Sequence, residues 1–193
     1  TIEDPVLETA ILRQLRKEKG PITKAELAKV KTLDLSQSKQ NDELDPCVFP
    51  HLTGLKGLYL APGKLTDISL LKGLTQIESL RISATQIKDI SPLAGMKKLD
   101  RLDLGRTQVS DLTPLAELTS LTELQIDQTE VTDLKPLAKL KDLNMLQMKR
   151  TRIADVSPLG GLMKLKNLYI EGSLVKDVSA LKNIPGLKIH EGS

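Results

Sequence analysis

The chain has 193 residues, 39% of them hydrophobic, which suits one domain around a single core. Its 28 basic and 25 acidic residues leave a net charge of +3, too balanced to imply a nucleic-acid partner, and a 2% aromatic content without Trp leaves little for base stacking or an aromatic ligand box. No apolar run reaches the length of a membrane-spanning helix, and the single Cys47 excludes both an intramolecular disulfide framework and metal sites built on paired cysteines.

The chain begins without a charged-then-apolar leader, and a removed signal peptide or a trimmed chain would look the same. Asp4 followed by Pro5 predicts a helix start, Leu7, Ile11 and Leu15 share one face, and Gly20-Pro21 is expected to end the run. Thr23 and Glu26 then form a capping box for a second, shorter helix carrying Leu27 and Val30. Residues 1–29 therefore read as a helical cap over an open strand edge.

From Val30 onward the chain repeats. The first unit, 30–54, runs 25 residues, and its extra length lies in "QNDELDPCVFPH", an irregular loop over 40–51 of the kind that often carries function. Regular units follow over 55–186 with a constant step of 22, their first positions at Leu55, Ile77, Leu99, Leu121, Leu143 and Leu165, and a partial unit opens at Leu187 and runs to 193.

The unit "LDRLDLGRTQVSDLTPLAELTS" (99–120) places apolar residues at positions 1, 4, 6, 11, 14, 17 and 20. Positions 4 and 6 alternate with polar neighbours, the period of a strand with one buried face. The later three-residue spacing fits a tight 3-10-like coil better than an α-helix. One unit cannot bury its leucines alone, but units stacked in parallel about 4.8 Å apart share a continuous core. Parallel sheets covered on both faces read as unbroken apolar runs. These strands alternate instead, so one face of the sheet is expected to stay bare on the inside of a curve.

The pattern Leu-x-x-Leu-x-Leu, then Thr, then Ile/Val-x-Asp-Ile/Leu-x-Pro-Leu resembles the 22-residue leucine-rich repeats of the bacterial internalin-like family over residues 55–187, and residues 2–36 resemble that family's helical N-terminal cap. The resemblance implies an α/β repeat fold: a right-handed leucine-rich-repeat solenoid with a parallel concave β-sheet, a convex side of short 3-10 turns and an α-helical cap, all in one structural domain. It also implies a secreted or cell-surface bacterial protein with an adhesion or host-interaction role. Two departures stand out. The family's usual Asn at position 9 is Thr85, Thr107, Thr129 and Thr151, followed by Ser173, so a shorter hydroxyl must satisfy the backbone at the corner. The immunoglobulin-like domain that often follows internalin repeats is not found before the chain stops at "LKIHEGS".

Asp67, Asp89, Asp111, Asp133, Asp155 and Asp177 stack in one column. Clustered carboxylates invite a metal reading, but each precedes a tight turn, where Asp accepts backbone N–H bonds, and a calcium site would need closely spaced carboxylates in a Gly-rich loop. Capping is therefore expected, with no metal or cofactor. Cys47 lies four residues before His51, a spacing open to a nucleophile pair, yet Pro50 interrupts the segment and no third group orients the base. With no phosphate loop, no HExxH and no Gly-x-Ser-x-Gly, the sequence supports no enzyme.

What remains is the bare face. Its candidate partner-binding residues are Tyr59, Arg81, Arg101, Asp103, Arg106, Glu123, Gln125, Met145, Gln147, Lys149, Arg150, Tyr169 and Glu171. Neighbouring strands would pair Arg81 with Asp103, Arg101 with Glu123, and Lys149 with both Asp127 and Glu171, so much of this surface neutralises itself. Both tyrosines of the chain point outward, and Tyr169 lies near Met145, Gln147 and Arg150 in a mixed aromatic, apolar and cationic patch. The sequence thus predicts a monomeric, non-catalytic module that binds a protein partner, with neither nucleic-acid binding nor membrane insertion. An assembly role through the uncapped C-terminal strand, docking another domain or a second copy, is the alternative.

Overall fold

The structure, a computed structural model, describes residues 1–40 and 42–192. The expectations for the 40–51 loop and the final partial unit therefore exclude Asn41 and Ser193, which lie outside the described residues.

Helix α1 (Pro5–Leu15) opens where Asp4 accepts the Val6 N–H at 2.9 Å and Pro5 supplies a helical φ without a donor. It buries Leu7 and Ile11 and packs on the first strand. It ends before the expected Gly20-Pro21: Arg16 turns left-handed at φ 55°, and the N–H groups of Arg16 and Lys17 close back on the Arg13 and Leu12 carbonyls at 3.2 and 3.0 Å. Those bonds cap the last turn, and the left-handed Arg16 turns the chain off the helix axis. Helix α2 (Lys24–Leu27) carries the expected Thr23–Glu26 capping box. Lys17 ties the two together, its Nζ lying 3.0 Å from the Glu26 carboxylate.

Eight parallel strands follow in sequence order: β1 (Thr32–Asp34), β2 (Gly57–Tyr59), β3 (Ser79–Arg81), β4 (Arg101–Asp103), β5 (Glu123–Gln125), β6 (Met145–Gln147), β7 (Asn167–Tyr169) and β8 (Lys188–His190). The register pairs Thr32 with Gly57 across the long first unit and then keeps the 22-residue step through Asn167. The last step is 21, because Asn167 pairs with Lys188. Leu187, read from sequence as position 1, therefore stands at position 2 and is only half-buried, while Ile189 takes core position 4.

Beyond each strand the ladder continues. Ile82 donates its N–H to the Asp103 carbonyl at 3.1 Å and Ala84 to Gly105 at 2.8 Å, a pattern repeated along the sheet. The corner residues Ala84, Arg106, Gln128 and Arg150 all adopt left-handed φ between 54 and 56°, and Gly172 does so at 71°. Next to them the hydroxyls of Thr85, Thr107, Thr129 and Thr151 donate to the carbonyls of Ile82, Leu104, Ile126 and Met148 at 2.7–2.8 Å. Buried as they are, these threonines satisfy the corner backbone as the sequence demanded. Ser173 does something else: its backbone N–H, not its hydroxyl, reaches the Ile170 carbonyl at 3.0 Å.

The three-residue spacing becomes a 3-10 turn in every regular unit, from Ser69–Leu71 through Ser179–Leu181. Each is opened by the Asp column, whose Oδ1 atoms accept the N–H of the turn's first residue at 2.8–2.9 Å. Between sheet and turns runs one apolar core from Leu7 to Ile184. The irregular loop contributes to it, burying Leu44, Val48 and Phe49, and Leu44 and Phe49 line a cavity of about 50 Å³ together with Leu7, Leu35, Leu60 and Leu65.

Candidate functional site: the concave sheet face

Because position 4 of every strand points to the core, positions 3 and 5 line the opposite face, and among the described residues no other layer covers it. The strands carry Tyr59, Arg81, Arg101, Asp103, Glu123, Gln125, Met145, Gln147 and Tyr169 there. Arg106, Lys149, Arg150 and Glu171 follow at the corners, one side of the same surface. The thirteen residues fall into two groups with different electrostatics.

In the N-terminal group the charges neutralise each other as expected. Arg81 Nε lies 3.8 Å from Asp103, and Arg101 Nε lies 3.8 Å from Glu123 and 3.9 Å from Asp100. The Arg81 guanidinium also sits 5.7 Å from the centre of the Tyr59 ring, whose hydroxyl is 3.0 Å from Ser79 Oγ. These residues surround an open, polar depression of about 260 Å³.

The C-terminal group departs from the expected pairing. Lys149 forms no ion pair with Asp127 or Glu171; its Nζ lies over the Tyr169 ring, 5.3 Å from the centroid. Asp127 instead uses Oδ1 to accept the Lys149 backbone N–H at 2.8 Å. Burial pushes the Asp127 carboxyl up from its ordinary value, against the pull of that N–H and of the Lys149 charge, while Asp103 and Glu171 push it further up. On the other side of Tyr169 stands His190, stacked with ring centroids 4.2 Å apart and planes 10° from parallel. His190 Nε2 is 3.0 Å from Asn167 Oδ1. Tyr169 is therefore held between a cation and an imidazole. Met145 and Gln147 lie beside it, paired in register with Asn167 and Tyr169.

His190 and Lys188 belong to this face and were absent from the sequence-based set. The 21-residue last step hid them, since counting by 22 misassigns both. The alternation of Leu187 and Ile189 with Lys188 and His190 was the signal that would have placed them.

The Asp column spends its oxygens on the turns rather than on a ligand. The backbone N–H of Ser69, Ser91 and Ser179, and then the hydroxyls of the same residues, hold the Asp67, Asp89 and Asp177 carboxyls below their ordinary value. For Asp111 and Asp155 the hydroxyls of Thr113 and Ser157 lead. Among the described residues no group of three or more His, Cys, Asp and Glu side chains is arranged to hold a metal ion. Cys47 is exposed and donates its backbone N–H to Asp45 at 2.8 Å, and no hydrogen bond joins it to His51 among the described residues. No helix of the described residues is long and apolar enough to cross a membrane.

Strands of constant register, leucines stacked behind them and 3-10 turns on the far side define a leucine-rich-repeat solenoid, a fold that serves in general as a non-enzymatic scaffold for protein interaction. The family model for Leucine Rich repeats (2 copies) matches residues 75–117. Internalin C2 of Listeria monocytogenes is similar in structure with a TM-score of 0.82 and 29% identity, over 98% of this chain and 93% of that one. An internalin, InlF, of the same organism gives a TM-score of 0.82 and 28% identity over 97% of this chain, which spans 55% of InlF. A leucine-rich-repeat protein of Leptospira interrogans, at 20% identity and a TM-score of 0.76 over 85% of this chain and 43% of that one, shares the fold. No curated protein matches at a significant level. Together the repeat match and the two Listeria structures support an internalin-like leucine-rich-repeat family for this chain.

Proposed function

We propose that the protein is a non-catalytic binding module that engages a partner protein through its concave sheet face, as a secreted or cell-surface bacterial protein of adhesion or host interaction. The observation that carries this reading is the contrast within the face. The N-terminal arginines are already paired with carboxylates, whereas positions 3 and 5 of β6, β7 and β8 carry no carboxylate at all and instead present Met145, Gln147, Asn167, Tyr169, Lys188 and His190. Aromatic, methionine and cationic side chains are what interface centres favour. The resemblance to Listeria internalins supports the secreted or surface setting.

Strand positions alone supply too little area, since a standard interface takes about 800 Å² from each partner. Arg106, Gln128 and Arg150 at the corner therefore join the site. The test begins with a pull-down from bacterial and host extracts, followed by surface plasmon resonance on folded variants. Tyr169→Ala is expected to weaken binding by at least about 2 kcal/mol, in the range of hot-spot truncations, while Ser83→Ala on the same face changes almost nothing. Negligible effects from both Tyr169→Ala and Arg150→Ala would move the site to Tyr59 and the 40–51 loop, or off this face.

A further inference from the structure

Neutralised in charge, the N-terminal half of the concave face has not spent its hydrogen bonds. Ion pairs elsewhere on the surface close to contact, Lys139 with Glu117 at 3.2 Å, Arg152 with Glu130 at 3.2 Å and Lys164 with Asp142 at 2.8 Å. The two that cross between neighbouring strands stop short: Arg81 Nε lies 3.8 Å from Asp103 Oδ2, and Arg101 Nε lies 3.8 Å from Glu123 Oε2. At that separation no direct hydrogen bond forms. Among the described residues neither guanidinium donates a hydrogen bond, and neither the Glu123 carboxylate nor the Gln125 side-chain amide makes one. The Tyr59 hydroxyl donates to Ser79 Oγ at 3.0 Å, which leaves the serine proton to donate elsewhere. Asp103 gives Oδ1 to the Gly105 N–H at 2.9 Å and keeps Oδ2 for the gap.

All these groups surround the depression of about 260 Å³. Its two arginines face two carboxylates, and Asp100 adds a third at the rim, 3.9 Å from Arg101. Asp34 on β1 also feels the Arg81 charge. An anion therefore finds no excess of positive charge here, and a cation meets two guanidinium groups. Register fixes where the gaps lie, because Arg81 pairs with Asp103 and Arg101 with Glu123 as strand neighbours. One strand across and two residues along separate the gaps, a distance on the order of 8 Å.

We propose that this depression binds a neutral glycan. To fill a gap between a guanidinium and a carboxylate, a single ligand atom must accept on one side and donate on the other. A hydroxyl does both, whereas an amide N–H only donates and a carbonyl only accepts, so a peptide backbone does not suit. Two such gaps on the order of 8 Å apart call for hydroxyls on two linked sugar rings, with Gln125 and Ser79 left to meet their neighbours. A bridging water satisfies the same gap, so the glycan must reproduce both bonds to displace it, and its affinity is low. This site lies on β2 to β5, apart from Tyr169 and Lys149, and either site can fail without the other.

Saturation-transfer difference NMR on the full chain with maltose, lactose, cellobiose and N,N′-diacetylchitobiose tests it. At least one of these disaccharides is expected to receive transfer, to shift the amide signals of Arg81, Arg101 and Gln125, and to bind as well at high salt as at low. The side chains of Arg101 and Glu123 are 65% and 41% exposed, so Arg101→Ala and Glu123→Ala should leave thermal melts essentially unchanged. Each should weaken binding of that disaccharide about tenfold. The double variant should lose little more than either alone, because one bridge needs both ends. Lys88→Ala, beyond the corner, should change nothing. No transfer to any of the four sugars would overturn the assignment, and so would additive losses in the double variant. Tighter, salt-sensitive binding of lactose 3′-sulfate would overturn it in favour of an anion, and binding of a serine–glycine peptide with none of the sugars would do so in favour of a polypeptide.

Discussion

Tyr169 on β7 and His190 on β8 stack face to face, 4.2 Å between ring centroids and 10° between planes, while Lys149 covers the other face of Tyr169. The stack joins the last two strands on the side where no core lies. It also changes what Tyr169 can offer a partner: its edge and hydroxyl, with its faces already used. An offset or parallel aromatic pair contributes about 0.5–1.5 kcal/mol beyond area, so His190→Ala should lose about that much in urea unfolding, and His190→Phe, which keeps a ring, should lose less. Equal losses from both would assign the stability to the Asn167 hydrogen bond instead.

The buried threonines give a sharper stability prediction. Thr107 is 5% exposed, and its hydroxyl donates to the Leu104 carbonyl at 2.7 Å. Thr107→Val keeps the shape and removes the donor, which should cost about 1–3 kcal/mol. Thr107→Ser keeps the donor and should recover much of that loss, read by denaturant midpoint at constant slope.

Acid should weaken the fold through the Asp column. Asp67, Asp89, Asp111, Asp155 and Asp177 have carboxyls held below their ordinary value by turn N–H and hydroxyl groups. With the folded value depressed, the stabilisation is fully present above the unfolded value of about 3.9 and is lost as pH falls through the folded values. The melting temperature should therefore drop steeply below about pH 4, and Asp111→Asn with Asp155→Asn, which keep an acceptor, should flatten that drop. Calcium should not shift the melting temperature at neutral pH, because these oxygens are engaged by the chain.

Asp127 has the opposite sign. Burial raises its carboxyl, so its ionisation opposes folding: relative stability is full below the unfolded value and declines as pH rises through the folded one. Asp127→Asn can still accept the Lys149 N–H, and it should raise the melting temperature at pH 7 by an amount that vanishes as the pH is lowered to about 4. A destabilised variant at neutral pH would mean that the Lys149 charge outweighs burial at this site.

At the corner, Ala84 holds φ 56° and Gly172 holds φ 71° in equivalent positions. A left-handed residue with a Cβ costs about 1–2 kcal/mol, and glycine gives back about 0.5–1 in chain entropy. Ala84→Gly should thus gain about 0.5–1 kcal/mol. Gly172→Ala should lose stability, since its Cβ would stand 3.0 Å from Arg150 Cγ; thermal melts of the two variants moving in the same direction would contradict this account.

The sequence by itself determined the solenoid. Leu99, Leu102 and Leu104 and their equivalents recur at intervals that only a strand and a tight turn can bury together, and the alternation of Arg101 and Asp103 with Leu102 fixed which face stays bare. Asp4, Pro5 and the Thr23–Glu26 pair marked both helix starts, because capping is local chemistry. Gly20-Pro21 did not mark the end of α1, since Arg16 had already closed it. Only the tertiary structure decided how the face is wired. Counting by 22 could not reveal that β8 pairs one residue early, and so it concealed His190 and Lys188. Nor could charge pattern decide whether Lys149 turns to a carboxylate or to Tyr169, because a flexible ammonium chooses among neighbours brought within a few ångströms by register, burial and the bonds that those neighbours have already made.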